Sequence, residues 1–317
     1  MSNGDWHPVF EDAILETIVH GTPEAIGIVL TVLTHLGSVY VVVPAVILAY
    51  FWAPNRMATW IATVCGYYGL MGGIKSLNSA DRPPIVADVS AEWFPGVFSW
   101  LHGHGAGITT TSFPSGNAMI ATAIITLMIF DLRISTLRNR ALVGAAVIGL
   151  VGYSRLALAV HYPIDVIGGI ALGIILAGTV VSTRRHFDRG TLAVFAFAAA
   201  LAFFGVWVHS NGFAVPAWEG ILGSNRNIAL GGAVGGMVTL YLGQRTDWQF
   251  NVSGKTTMPV FAGAGVLLSI AYAIHTSITH PLVTMLWAGV AFGIILIVPH
   301  LIRKETQRLT SAPQTHS

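Results

Sequence analysis

The chain has 317 residues, 54% of them hydrophobic and only 9% Asp, Glu, Lys or Arg, with a mean hydropathy of +0.68. Soluble domains carry about a quarter charged residues, so this composition excludes a soluble globular protein and indicates an integral membrane protein with many spans. A net charge of +2 is too small to suggest a nucleic-acid partner, and the single cysteine, Cys65, excludes an intrachain disulfide and a multi-cysteine metal site.

Met1–Pro23 is polar and acidic and lacks a basic leader region, so it does not read as a cleaved signal peptide. Within it, Pro8–His20 is expected to form a short helix lying at the membrane interface. A spanning helix needs about 20 mostly apolar residues, and about nine stretches meet that criterion. They are Ala25–Trp52, Met57–Leu77, Ser115–Leu132, Ala141–Ala159, Pro163–Ser182, Thr191–His209, Ile228–Gly243, Met258–His275 and Pro281–Leu301. The expected fold is therefore an all-α, polytopic membrane helical bundle. Gly37-Ser38 marks a kink or break in the first of these helices. Gly169-xxx-Gly173 and Gly231-xxx-Gly235 have the spacing of close helix packing. Cys65 reads as an inert, packed thiol. Trp52, Trp60, Trp93, Trp100, Trp207 and Trp218 fall near span ends, as an aromatic belt would.

The longest connection, Asn78–Pro114, holds Asp81, Arg82, Asp88, Glu92 and the run His102-Gly-His-Gly-Ala-Gly, and a loop of that length is usually functional or disordered. Basic residues orient the chain. Arg56, Arg133, Arg138, Arg140, Arg184, Arg185, Arg189, Arg245, Lys255, Arg303, Lys304 and Arg308 all fall on one side if the helices alternate. The N-terminus and the long connection are thus expected outside, the C-terminus inside. Ser112 and Ser135 are expected to be accessible from opposite faces. Asn251-Val-Ser253 matches the glycosylation acceptor pattern but falls on the inner side, so it is expected to be unmodified.

Three blocks carry chemistry. The first is Lys75, six residues, then Arg82-Pro83. Seven residues are about two helical turns, which would put both cations on one face if the helix continued that far. Snorkelling at a membrane edge is the simpler account of such cations taken alone. The second is Phe113-Pro114-Ser115-Gly116-Asn117 at a helix start, where serine caps, glycine permits close approach and the first-turn N–H groups favour an anion. The third is Ser154-Arg155, five residues, His161, three residues, Asp165. At a helix entrance His161 and Asp165 can share a face. The carboxylate would hold the imidazole in one tautomer and favour its cationic form, an arrangement that suits a histidine nucleophile or, equally, a structural His–Asp hydrogen bond. Ionisable groups beside membrane segments are costly, and three fixed cations are most simply read as an oxyanion site.

Together these blocks resemble the type 2 phosphatidic acid phosphatase superfamily, whose signatures are Lys-x6-Arg-Pro, Pro-Ser-Gly-His and Ser-Arg-x5-His-x3-Asp. The superfamily also holds polyprenyl diphosphate phosphatases, glucose-6-phosphatase and vanadium haloperoxidases. The resemblance covers roughly residues 25–182. It implies a core over residues 1–189 and additional helices of unknown role, with a basic tail, over 190–317. It further implies hydrolysis of a membrane-lipid phosphate or polyprenyl diphosphate with no metal and no cofactor, at a site that the basic residues orient to the outer face of the cell membrane. His161 would form a phosphohistidine and Asp165 would orient it. Lys75, Arg82, Ser115, Gly116 and Arg155 would bind phosphate. A transferase on the same scaffold, using an alcohol in place of water, and a non-catalytic lipid-phosphate binder or transporter are the alternatives.

The second block departs from the signature. Asn117 stands where the family histidine protonates the leaving group, and an amide cannot transfer a proton at neutral pH. Either the leaving group needs little protonation, or another acid substitutes (His102, His104 or Asp81), or the protein binds without turnover. His35, His209, His275, His280 and His300 show no metal-site spacing and read as hydrogen-bonded interior or interface histidines.

Overall fold

The computed structural model describes residues 9–87, 96–106, 110–210, 225–245 and 280–311, and every regular element among them is helical. The α-helices are α1 (Val9–Gly21), α2 (Glu24–Leu33), α3 (Val39–Trp52), α4 (Pro54–Leu77), α5 (Val97–Ala106), α6 (Gly116–Asp131), α7 (Leu137–Ala157), α8 (Pro163–His186), α9 (Gly190–His209), α10 (Asn225–Arg245) and α11 (Pro281–Ser311). The expected helix Met258–His275 and the Asn251 acceptor lie outside the described residues.

Among the described residues four helices are long and apolar enough to cross a membrane: Leu137–Ala157, Pro163–His186, Gly190–His209 and Leu282–Pro299. α3 and α6 are apolar but, at 1.5 Å per residue, only about 21 and 24 Å long, short of the ~30 Å hydrocarbon core. The break expected at Gly37-Ser38 is a 3-10 turn, Thr34–Gly37, followed by extended backbone at Ser38. It separates α2 from α3. The Ser38 hydroxyl donates to His35 O (2.9 Å), closing the turn. The helix expected at the N-terminus is α1, and it is bent by 107° from the segment Glu24–Gly37.

The chain divides into two compact units, Met1–Pro44 with Leu70–Ser182 and Ala45–Gly69 with Thr183–Ser317. In the second, α10 packs on α9 and α11. Gly231 and Gly235 allow this: a Cβ on either would strike the backbone of Met285 or Gly289. Tyr50 Oη donates to Leu296 O (2.8 Å), tying α3 to α11. Cys65 is buried, as expected; Trp60 is 3% exposed, so it belongs to the core and not to the aromatic belt.

In the first unit α6 is the central helix, with Ala118, Met119, Ala121, Ala123 and Leu127 all buried. α7 and the 3-10 turn pack against it. α8 lies close along it because Gly169 and Gly173 have no side chain, and a Cβ there would meet the carbonyls of Ser115 and Met119. α1 adds Leu15 and Val19 to a cluster with Ala159 and Tyr162. All residues of the three blocks fall in this unit.

Candidate functional site

The first block straddles the end of α4. Asn78 Nδ2 donates to Ile74 O (2.7 Å) and Phe113 O (3.1 Å), closing the last turn. The helix stops at Leu77, so Arg82 does not continue the helical face of Lys75. The two cations meet by another route. Lys75 Nζ donates to the carbonyls of Thr111 and Ser112. Arg82 donates from Nε to Thr110 O (2.7 Å), from Nη2 to Thr111 O (3.4 Å) and from Nη1 to Val160 O (2.5 Å). Both therefore grip residues 110–112, and Arg82 also holds the residue before His161. Carbonyl oxygens anchor these side chains without cancelling their charge.

Ser115 is the N-cap of α6 by position, yet its hydroxyl makes no cap hydrogen bond. Oγ is buried and has no hydrogen-bond partner among the described residues. A buried hydroxyl left this way is costly unless something else satisfies it. The Ser115 N–H donates to Asp165 O (3.0 Å), joining the second block to the third. Gly116 opens the helix. Asn117 Nδ2 donates to Thr34 O (3.0 Å), so its amide is committed to the 3-10 turn. Gly37 seats against the Asn117 carbonyl, where a Cβ would not fit.

The third block starts in the last turn of α7. Arg155 is fully buried; its Nη1 donates to Thr34 Oγ1 (2.7 Å) and Gly105 O (2.9 Å). Ala159 adopts φ 53°, a left-handed conformation that ends the helix and turns the chain toward His161. His161 is 3% exposed, with Nδ1 3.5 Å from Asp165 Oδ2. That is the long edge of hydrogen-bond range. Asp165 Oδ2 accepts from Tyr162 N (2.9 Å) and from Ser112 Oγ, and Ser112 Oγ lies 3.3 Å from His161 Nδ1. Asp165 Oδ1 is buried without a hydrogen-bond partner among the described residues. From α1, Glu11 Oε1 accepts from Ile164 N (3.1 Å), bracing the first turn of α8.

Lys75 interacts electrostatically with Arg82, Arg155 and Asp165, and His161 with Arg155, Arg82 and Asp165. Burial pushes the His161 imidazole down to about 3, opposed by the Asp165 contact and reinforced by the two guanidiniums. Asp165 does favour the cationic ring, as expected, but burial and the two guanidiniums outweigh it. Desolvation in a pocket already rich in positive charge outweighs one carboxylate. A neutral ring keeps a lone pair at physiological pH, and the surrounding cations suit an anion.

Of the other acids considered, Asp81 is exposed. His104 donates to Trp100 O (2.8 Å) and lies 4.3 Å from the Trp100 ring. His102 Nδ1 is buried without a partner among the described residues. His35 is a hydrogen-bonded interior histidine, with Nε2 donating to Leu101 O (3.0 Å). Sequence reasoning missed Ser112, Thr34, Gly105 and Glu11. Ser112 is moreover fully buried and is not an accessible loop residue. Its burial follows from its bonds to Asp165 and to Ala80 O (2.8 Å from Ser112 N).

A search of curated proteins returned no match. Among solved structures, the chain is similar to Aquifex aeolicus LpxE, with 23% identity, a TM-score of 0.44, and coverage of 57% of this chain and 99% of that one. It is also similar to a PAP2 type phosphatidylglycerolphosphate phosphatase from Bacillus subtilis, with 21% identity, a TM-score of 0.46, and coverage of 57% and 87%. Residues 57–189, which include every residue of the three blocks from Lys75 to Asp165, match the family model of the PAP2 superfamily.

Proposed function

We propose that this chain hydrolyses the phosphate or diphosphate of a membrane lipid at the outer membrane face, through a phosphohistidine on His161. The observation that carries this reading is a buried imidazole beside Asp165, grouped with three basic side chains whose anchoring hydrogen bonds include neutral oxygens. His161 Nε2 attacks phosphorus, the bond to the leaving oxygen breaks with its electron pair, and water then cleaves the P–N bond. Lys75, Arg82, Arg155, the Ser115 hydroxyl and the Gly116 N–H hold the phosphate oxygens. Such fixed donors stabilise developing charge without reorganisation.

Asn117 sets the substrate preference. Its amide is tied to Thr34 O and cannot protonate a leaving group. An alkoxide leaves poorly without a proton, whereas the phosphate leaving a diphosphate is already a stable anion. The chain therefore prefers a lipid diphosphate. The test is phosphate release by the purified protein from phosphatidate, phosphatidylglycerol phosphate and a polyprenyl diphosphate, with Asn117→His alongside. Wild type should favour the diphosphate, and the variant should raise kcat/KM for monoesters by up to about 10⁴-fold with little gain on the diphosphate. Equal gains on both, or a wild-type preference for monoesters, would mean that another residue supplies the proton. A second reading, a lipid-phosphate binder without turnover, draws on the same committed amide; lipid retained with no phosphate released from any of the three substrates would favour it.

A further inference from the structure

We infer that Ser112 is a positioning residue that fixes the tautomer of His161, an inference that rests on reading His161 as the nucleophile. The protons available to the three side chains decide it. A serine hydroxyl has a single proton, and Ser112 gives it to Asp165 Oδ2. A carboxylate only accepts. What Ser112 presents to His161 Nδ1, 3.3 Å away, is therefore a lone pair, so Nδ1 must carry the ring proton. The lone pair of the neutral imidazole is then on Nε2, free to attack phosphorus. Asp165 Oδ2 reaches Nδ1 only at 3.5 Å, farther than Ser112 Oγ. Ser112 closes the gap as a bridge, Nδ1–H to Oγ and Oγ–H to Oδ2.

The bridge is built into the fold. Ser112 is fully buried, its N–H donates to Ala80 O (2.8 Å), and its carbonyl accepts from Lys75 Nζ (3.3 Å). One residue thus links a phosphate-binding cation of the first block to the nucleophile of the third. When Nε2 bonds to phosphorus, the ring becomes cationic. Nδ1–H then bonds more strongly to Ser112 Oγ, which is polarised in turn by Asp165. No proton changes owner, and the electron pair of the breaking P–O bond leaves with the departing oxygen.

The full-length protein in detergent micelles, with a short-chain polyprenyl diphosphate and phosphate release as the readout, provides the test. Threonine and valine are isosteric, so Ser112→Thr and Ser112→Val share any packing penalty and differ only in the hydroxyl. Ser112→Val should lose kcat by about 10- to 100-fold with KM within about twofold, while Ser112→Thr stays within about threefold of wild type. In ¹⁵N spectra of histidine-labelled protein, His161 should show a protonated Nδ1 in wild type and mixed tautomers in Ser112→Val. If branching at this buried position unfolds both, Ser112→Ala takes the place of valine and wild type that of threonine. Equal kcat in the hydroxyl-bearing and hydroxyl-free proteins, with His161→Ala inactive, overturns the role of Ser112 and leaves the nucleophile standing. Activity in His161→Ala overturns both.

Discussion

His161 occupies a place where a proton is unwelcome, and that has a thermodynamic consequence. Its folded-state value of about 3 lies below the ordinary 6.5. Between those pH values the unfolded chain binds a proton that the folded chain refuses. Its contribution to stability is therefore complete above pH 6.5 and is lost as the pH falls toward 3. The melting temperature of the wild-type protein should drop between pH 7.5 and pH 5, and that of His161→Ala should drop less. Equal drops would mean that the ring titrates normally. At this scale the three blocks were legible because their spacing is rigid and their residue types are rare in membrane segments. Ser112 was not legible. A serine in a loop has no periodicity, and only the fold reveals that its hydroxyl meets Asp165 while its backbone meets Ala80 and Lys75.

At the scale of elements, glycines decide how closely the helices of the site approach. Gly169 of α8 faces the Ser115 carbonyl with no room for a Cβ, whereas Gly178, two and a half turns on, has nothing within 4 Å. Gly169→Ala should destabilise by about 1–3 kcal/mol and lower activity by moving Ser115, because backbone must shift to admit the methyl. Gly178→Ala should be neutral or stabilise by up to about 1 kcal/mol through helix propensity. Thermal unfolding in detergent compares them, and equal effects would contradict the packing account. The Gly-xxx-Gly spacing announced this contact, and Gly37-Ser38 announced the break after α2. α5 was hidden, because Gly103 and Gly105 lower helix propensity just where the helix supplies Gly105 O to Arg155. The expected end of the helix at Leu77 matches α4, and Asn78 closes it before Arg82.

For the whole molecule, the helical architecture of the described residues followed from composition, and four helices among them are long and apolar enough to span. α3 and α6 are apolar yet short, and windows of hydropathy do not separate them from longer helices. The basic residues predict that the site faces outward. Thr110 and Ser135 are both exposed, unlike Ser112, and Cys65 is buried, so single cysteines at 110 and 135 on a Cys65→Ala background report the topology. An impermeant thiol reagent on intact cells should label position 110 and spare position 135; the reverse pattern would invert the orientation. The most direct test of the account concerns the covalent step. Purified protein mixed with a polyprenyl diphosphate and quenched within the first turnover should yield an acid-labile phosphoramidate on the peptide containing His161. His161→Ala should give neither that adduct nor phosphate release, while remaining folded. Phosphate turnover at the wild-type rate in His161→Ala, or the adduct on a different residue, would contradict the account.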